Sequence, residues 1–441
     1  MGKIGFVTVS HLDYIDGTVE QASDTAAVEM VKRGIELYRI KGLVCSSKDA
    51  EMAGKEVMKA DVDAIILFLG SWIECPVAMS IIRELEHLPL LIWGFPMTMV
   101  NGQMMSTGSY VSYTMIKGVL DRIGYIYKGV LGEIDESIII DKVEYFAKAS
   151  TAYQRLKRSK IGLVGYTSMS IYPGTFDHVL MRVKIGPEIE HIDAYSLIKI
   201  AESVTEEECR TIQEKLKKSA HIPQTVTTEA LKKISGLYFG LMELKQKKDL
   251  DAINIKCQYE FSKEYGMVMC VPLSLAADNG IVSSCEGDIL NTVSMMILHL
   301  LSGRVVSYGD SINHTQNTVK LSSCGFLPFS MGVSGTQMIQ PFMPNRGFTG
   351  IQTSFVMRPE RVTVLRLIED IGSYHILYFT GTGLVTQMRD GFMPALDIDL
   401  DGDIEKLLEN YSGQHYAVCY GDVSQEIEDL ARILKIRTIR I

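Results

Sequence analysis

The feature that most constrains this chain is the alternation, over its first hundred residues, of short apolar runs with longer amphipathic stretches. Residues 4–9, 42–46, 64–70 and 89–95 read as strands, and residues 25–37, 49–60 and 75–86 as helices with apolar positions three and four apart. Strands joined by helices of about ten residues or more meet the requirement of a parallel sheet with crossover connections, so a doubly wound α/β domain is expected. Such sheets hold ligands at the carboxyl ends of their strands, which points to His11-Leu12-Asp13-Tyr14.

A basic stretch, Arg155-Leu156-Lys157-Arg158-Ser159-Lys160, precedes a second strand start at Ile161-Gly162-Leu163-Val164 and reads as a domain restart. A second α/β unit follows through strands at 189–192 and 251–256 and helices at 205–219, 228–243 and 289–301. Beyond Gly303 the runs 315–321, 351–356, 362–367 and 374–379 are β-prone and separated by turn residues, and 424–434 reads as one amphipathic helix. The expected fold class is α/β: two doubly wound α/β domains, 1–157 and 158–303, followed by a mostly antiparallel β C-terminal domain, 304–441.

Hydrophobic content of 46% over 441 residues is enough for separate cores. A net charge of −9 argues against a nucleic-acid partner, which would demand a basic surface. The eight cysteines form no C-x-x-C pair and several sit in apolar runs, so reduced, buried thiols are expected. Neither a leader pattern nor an apolar run of about 20 residues is seen, so a cytoplasmic protein without a membrane partner is expected.

The chain lacks a phosphate loop, a dinucleotide fingerprint, H-E-x-x-H and G-x-S-x-G, and Gly381-Thr382-Gly383 reads as a hairpin turn. The informative segment is Val282-Ser283-Ser284-Cys285-Glu286-Gly287-Asp288, at the entrance of the 289–301 helix. Taken alone it fits a helix-capping Asp288 beside a solvated Glu286 as well as it fits a ligand site. Cys285 reads as a small packing residue and His299 as structural.

Read onward, Glu286-Gly287-Asp288, a Met-rich helix, Leu301-Ser302-Gly303 and Tyr308-Gly309-Asp310 resemble the metal-site region of the L-fucose isomerase and L-arabinose isomerase superfamily, in which a glutamate and an aspartate have the separation of Glu286 and Asp310. The segment Gly413-Gln414-His415-Tyr416-Ala417-Val418-Cys419-Tyr420 resembles the family's C-terminal segment, which supplies a histidine ligand. The resemblance implies an aldose–ketose isomerase with Glu286, Asp310 and His415 on a divalent metal and the two acids as the acid–base pair. Two carboxylates and an imidazole suit Mn²⁺, with Mg²⁺ or Co²⁺ as alternatives. The reaction would pass through an ene-diolate.

Gln258, His314, Arg346 and Gln414 are the candidate sugar contacts. The resemblance also implies a homotrimer or homohexamer with sites at subunit interfaces, to which His11-Leu12-Asp13-Tyr14 could contribute. Downstream of Asp310 the chain departs from the family pattern at Ser322-Ser323-Cys324-Gly325 and at Asn345-Arg346-Gly347-Phe348, which leaves the sugar open: deoxy, pentose or anionic. Arg346 could meet a sulfonate or be a loop arginine. A metal-dependent epimerase or aldolase would use related chemistry, and paired α/β domains also build non-catalytic sugar-binding proteins.

Overall fold

The computed structural model of the chain describes residues 2–14, 17–100, 103–167, 170–342 and 347–441. It divides into two compact units, residues 1–155 with 425–435, and residues 156–424 with 436–441. No helix among the described residues is long and apolar enough to cross a membrane.

The first unit is built on a parallel sheet in the order Glu36–Arg39, Lys3–Val9, Ala64–Leu69, Leu90–Gly94, Tyr127–Leu131. Successive strand residues point to opposite faces, so the apolar runs feed two cores. Val7, Val9, Leu67 and Leu69 meet the helices Ser47–Lys59 and Cys75–Glu84, while Phe6, Ile66, Phe68 and Trp93 meet Thr18–Lys32 and Ser137–Arg158. Helices cover both faces, as in doubly wound sheets.

The second strand corrects the reading of 25–37 as helix and 42–46 as strand. The helix stops at Lys32, Gly34 turns the chain at a φ of 75°, and Glu36–Arg39 becomes the edge strand. In 42–46 only Val44 makes a bridge, to Val9. A four-residue edge strand that is half exposed carries too little alternation to be separated from the helix before it.

The second unit contains two sheets. Four parallel strands lie in the order Val282–Cys285, Ala252–Ile255, Lys160–Val164, Glu188–Ile192. Six antiparallel strands run Arg361–Asp370, His415–Tyr420, Val306–His314, Thr318–Ser322, Ala395–Leu400, Ser373–Leu384 and close by pairing the last with the first, which gives a barrel-like sheet. Arg437–Arg440 adds in parallel to Ser373–Leu384.

The helix Ile289–Ser302, buried at every position from Ile289 to Leu298, packs on strands of both sheets. Its apolar residues all round are explained by that double burial. Gly381-Thr382-Gly383 is not a hairpin turn but part of the strand Ser373–Leu384, with Gly381 opposite Val362 on one side and Leu400 on the other. A Cβ at Gly381 would lie 2.4 Å from the carbonyl oxygen of Asp399, so glycine allows the close strand approach.

Candidate active site

Glu286 follows directly on the strand Val282–Cys285, and both Glu286 and Gly287 adopt left-handed φ values, 69° and 70°. A left-handed glutamate is strained, and it persists only where neighbours over-determine it. Asn254, on the adjacent strand, provides that constraint: its Oδ1 accepts from the Gly287 amide at 2.8 Å, while its Nδ2 donates to Ser284 Oγ and Thr292 Oγ1, each at 2.9 Å. The Glu286 carboxylate is thereby aimed away from the sheet.

Asp310 and His415 are direct partners across the antiparallel pair Val306–His314 and His415–Tyr420. His415 Nε2 lies 3.3 Å from Glu286 Oε2 and 3.5 Å from Asp310 Oδ1. Glu286 and Asp310, from distant segments, therefore both flank Nε2 of His415. The imidazole is held from behind: Nδ1 donates to Asp288 Oδ2 at 2.9 Å, and the Tyr308 ring meets its ring edge-on at 5.1 Å. With Nδ1 engaged, Nε2 is the nitrogen left to face Glu286 and Asp310.

Asp288 has two roles at once. Oδ1 caps the helix through the Asn291 amide at 2.9 Å, and Oδ2 also accepts from Arg366 Nη1 at 2.7 Å. Asp288, Arg366 and His415 are each only 1% exposed. Arg366 spans the remaining gap by donating to the carbonyl of Pro173 at 2.8 Å and that of His415 at 3.2 Å.

Burial alone would raise Asp288, but Arg366 and His415 outweigh it and hold the carboxyl well below the usual range. Asp310 goes the other way: burial, with the Glu286 charge added, pushes it up to about 7 despite His415. Burial disfavours a charged His415, yet its bonds to Asp288 and Glu286 push it up to about 10. A pocket that favours a proton at Nε2 and resists full ionisation of Asp310 has an unmet demand for positive charge.

That demand, with O, O and N donors, fits a hard divalent cation held by Glu286, Asp310 and His415. Among the described residues, the three donors whose atoms all lie within 4.8 Å of one another are Cys285 Sγ, a Glu286 oxygen and Cys324 Sγ. Cys285 is a poor ligand here. Hydrogen bonding to Cys324 and burial push its thiol well up, and it contacts Tyr308 Oη at 2.9 Å.

A cavity of about 410 Å³ opens beside these groups, lined by Glu286, Asp310, Gln258, Gln414, Cys324 and Arg389 among others. Gln258 Nε2 donates to Glu286 Oε1 at 3.3 Å, and its buried Oε1 has no partner among the described residues. Such an orphaned acceptor is what a substrate hydroxyl would satisfy. His314 lies at the exposed end of its strand and does not line the cavity. Four strand residues carry it about 13 Å from Asp310, and a register shift between Ser311 and Asn313 intervenes. Arg346 lies outside the described residues.

Sequence reasoning missed Asn254, Arg366 and Arg389. Asn254 was signalled as the one polar residue of the strand Ala252–Ile255 and Arg366 as a charge inside the apolar run 364–368, whereas Arg389 sits in a loop without a pattern. His11-Leu12-Asp13-Tyr14 lies in the first unit after the strand Lys3–Val9, with the His11 ring 5.3 Å from that of Trp72.

No family model matches the chain. It is 26% identical over 378 residues to a sulfoquinovose isomerase from Clostridium sp. (strain MSTE9), covering 81% of each chain. A sulfoquinovose isomerase from Alkalicoccus urumqiensis is 24% identical over 360 residues, covering 80% of this chain and 81% of the other. A periplasmic sugar-binding protein from Legionella pneumophila matches at 10% identity over 69% of this chain and 97% of its own, with a TM-score of 0.19, too slight a likeness to bear on function.

Proposed function

We propose that this chain is a divalent-metal-dependent aldose–ketose isomerase acting on a sulfonated sugar. The reaction class and the sulfonated substrate are supported by similarity to sulfoquinovose isomerases over about four fifths of both chains. The observation that carries the mechanistic reading is the convergence of Glu286 and Asp310 on Nε2 of His415 beside the cavity.

When bound, a divalent cation would polarise the sugar's carbonyl and neighbouring hydroxyl, which acidifies the C–H bond that must break. The chain's own residues then move the protons. Isomerisation takes a proton from C2 and delivers one to C1, while the hydroxyl proton of O2 passes to O1, so the ene-diolate between them needs two proton carriers. Asp310 and Glu286, which flank His415 Nε2, are the two carboxylates in reach to carry them. His415 stays neutral and fixed by Asp288, and Gln258 orients a hydroxyl. Mn²⁺ is the preferred ion for this donor set. A homotrimer or homohexamer is proposed from the resemblance alone, to be tested by light scattering.

The test is NMR of Mn²⁺-loaded protein with sulfoquinovose in D₂O. The expected product is the 2-ketose with deuterium at C1. A C2-epimeric aldose without ketose would make the protein an epimerase, cleavage to smaller fragments an aldolase, and the absence of any turnover would overturn the isomerase reading.

A further inference from the structure

The cavity beside Glu286 and Asp310 contains a cation that the isomerisation chemistry does not use. Arg389 is the one basic side chain among the described residues lining it. Three other buried or half-buried arginines of this unit have carboxylate partners, Arg366 with Asp288, Arg358 with Glu360 and Arg361 with Asp401 and Asp422, whereas Arg182 bonds to backbone carbonyls. Arg389 forms no ion pair among the described residues, although its charge acts on Asp310, and its guanidinium contacts the thioether of Met393. A half-buried guanidinium that forms no ion pair can take up a further anion.

The loop that carries it is built to hold it. Arg389 and Met393 exchange two backbone hydrogen bonds, of 3.0 and 3.2 Å, around a turn in which Gly391 and Phe392 both have left-handed φ, 81° and 58°. The turn is tied down from below by Gln352, which donates to the Gly391 carbonyl at 2.7 Å, and by Ser354, which donates to that of Phe392 at 2.8 Å. A pinned turn fixes the backbone from which the Arg389 side chain extends toward the cavity.

We propose that Arg389 is the specificity-determining residue of the cavity, which binds the sulfonate of the substrate and so selects a sugar with an anionic substituent over its neutral counterpart. The inference rests on the isomerase reading for the identity of the sugar. The charge balance favours it. A divalent cation offsets the two carboxylates, so Arg389 supplies the single positive charge that a monoanionic sulfonate needs. Without it a sulfonate would enter a cavity whose other charged lining, among the described residues, is Glu286 and Asp310.

The test compares sulfoquinovose with glucose as substrates of the Mn²⁺-loaded full chain and of its Arg389→Met and Arg389→Lys variants, with calorimetric binding of sulfoquinovose measured beside turnover. For Arg389→Met the ratio of kcat/KM between the two sugars should fall about 10- to 100-fold, the scale of a hydrogen bond to a charged group. The loss should appear in KM rather than kcat, and Arg389→Lys should recover part of it. Equal losses on both sugars, or unchanged affinity for sulfoquinovose in Arg389→Met, would overturn the proposal. If the wild type binds sulfoquinovose without converting any aldose, the isomerase reading fails, while the binding comparison still decides the role of Arg389. If it does not bind sulfoquinovose at all, the proposal fails outright.

Discussion

The two parallel sheets of this chain end in different chemistry. In the first unit the buried polar groups at the carboxyl ends of Lys3–Val9 and Ala64–Leu69 are neutral: Ser10 and Ser71 hydroxyls meet at 2.9 Å, Thr8 and Ser23 at 2.6 Å, and Ser109 donates to the Leu69 carbonyl, while its buried acids Glu426 and Asp429 pair with Lys148 and Lys128 elsewhere. In the second unit the equivalent strand ends carry Lys256, Glu286 and Asp288, joined by Arg366 and His415 from the barrel-like sheet. Hydroxyl pairs satisfy one another and cost little to bury. Buried charges cost several kcal/mol each unless well paired, and their concentration in one place marks where function, rather than stability, has set the sequence.

The largest test of that contrast is to neutralise the converging carboxylates. Glu286→Gln and Asp310→Asn keep the side-chain size but neither hold a cation nor carry a proton at neutral pH. Turnover should drop by at least about two orders of magnitude, together with bound metal. Solvent deuterium exchange into the sugar, run beside a metal count, reads both effects. Wild-type exchange by Asp310→Asn would remove Asp310 from the chemistry.

Asp288→Asn comes next. An amide still caps the helix, so the cap by itself predicts a loss of no more than about 1 kcal/mol. The structure changes that expectation, because the charge of Asp288 also holds the buried Arg366 and the Nδ1 proton of His415. Breaking one side of a buried pair costs about 3–5 kcal/mol, and loss of an imidazole's orienting partner costs about 10- to 100-fold in metal affinity or activity. Denaturant unfolding of the metal-free protein decides it. A loss of only about 1 kcal/mol would reduce Asp288 to a cap.

The same charges predict how pH acts. With folded pKa values raised to about 10 for His415 and about 7 for Asp310, the metal-free site at pH 7 holds one proton on the imidazole and about half of one on the carboxyl. Metal binding must expel them, so Mn²⁺ binding should release between one and two protons. Affinity should then rise at least about tenfold per pH unit near neutrality. The raised values also set the sign for stability. In the metal-free protein the Asp310 contribution is full below the unfolded carboxyl value and is lost as pH rises through 7, and that of His415 is lost between about 6.5 and 10. Calorimetry of Mn²⁺ binding in buffers of differing ionisation enthalpy counts the protons, and a count of zero would contradict the site electrostatics.

How much of this was legible depended on range. The alternation at 4–9 and 64–70 announced the first sheet, because strands buried on both faces leave a local pattern. Glu286 and Asp310 were reachable only through the family resemblance of the segments that carry them, since taken alone 282–288 fits a helix cap beside a solvated acid as well. The link from Asp288 to Arg366 and His415 was not, since it joins residues 78 and 127 positions apart through contacts with no periodicity. Arg389 was invisible for a related reason. Its significance lies in the missing ion pair, and only the folded neighbourhood reveals which arginines have one.

The smallest expected effect lies in the first unit, at a polar group that serves a helix end. Ser46 caps the helix Ser47–Lys59, its Oγ accepting from the Asp49 amide at 3.2 Å and donating to the Asp49 carboxylate at 2.7 Å. In Ser46→Ala the amides of the first turn lose an acceptor that water replaces only in part, and the cost should be about 1 kcal/mol. With two units in the chain a single global transition cannot be assumed, so hydrogen exchange across Ser47–Lys59 is the better measure. Exchange from that helix should quicken about fivefold, the factor equivalent to that energy, while turnover and metal content stay at wild-type levels. If turnover fell about tenfold instead, a neutral cap in the first unit would be coupled to the chemistry, and the division between a sheet that stabilises and a sheet that reacts would not hold.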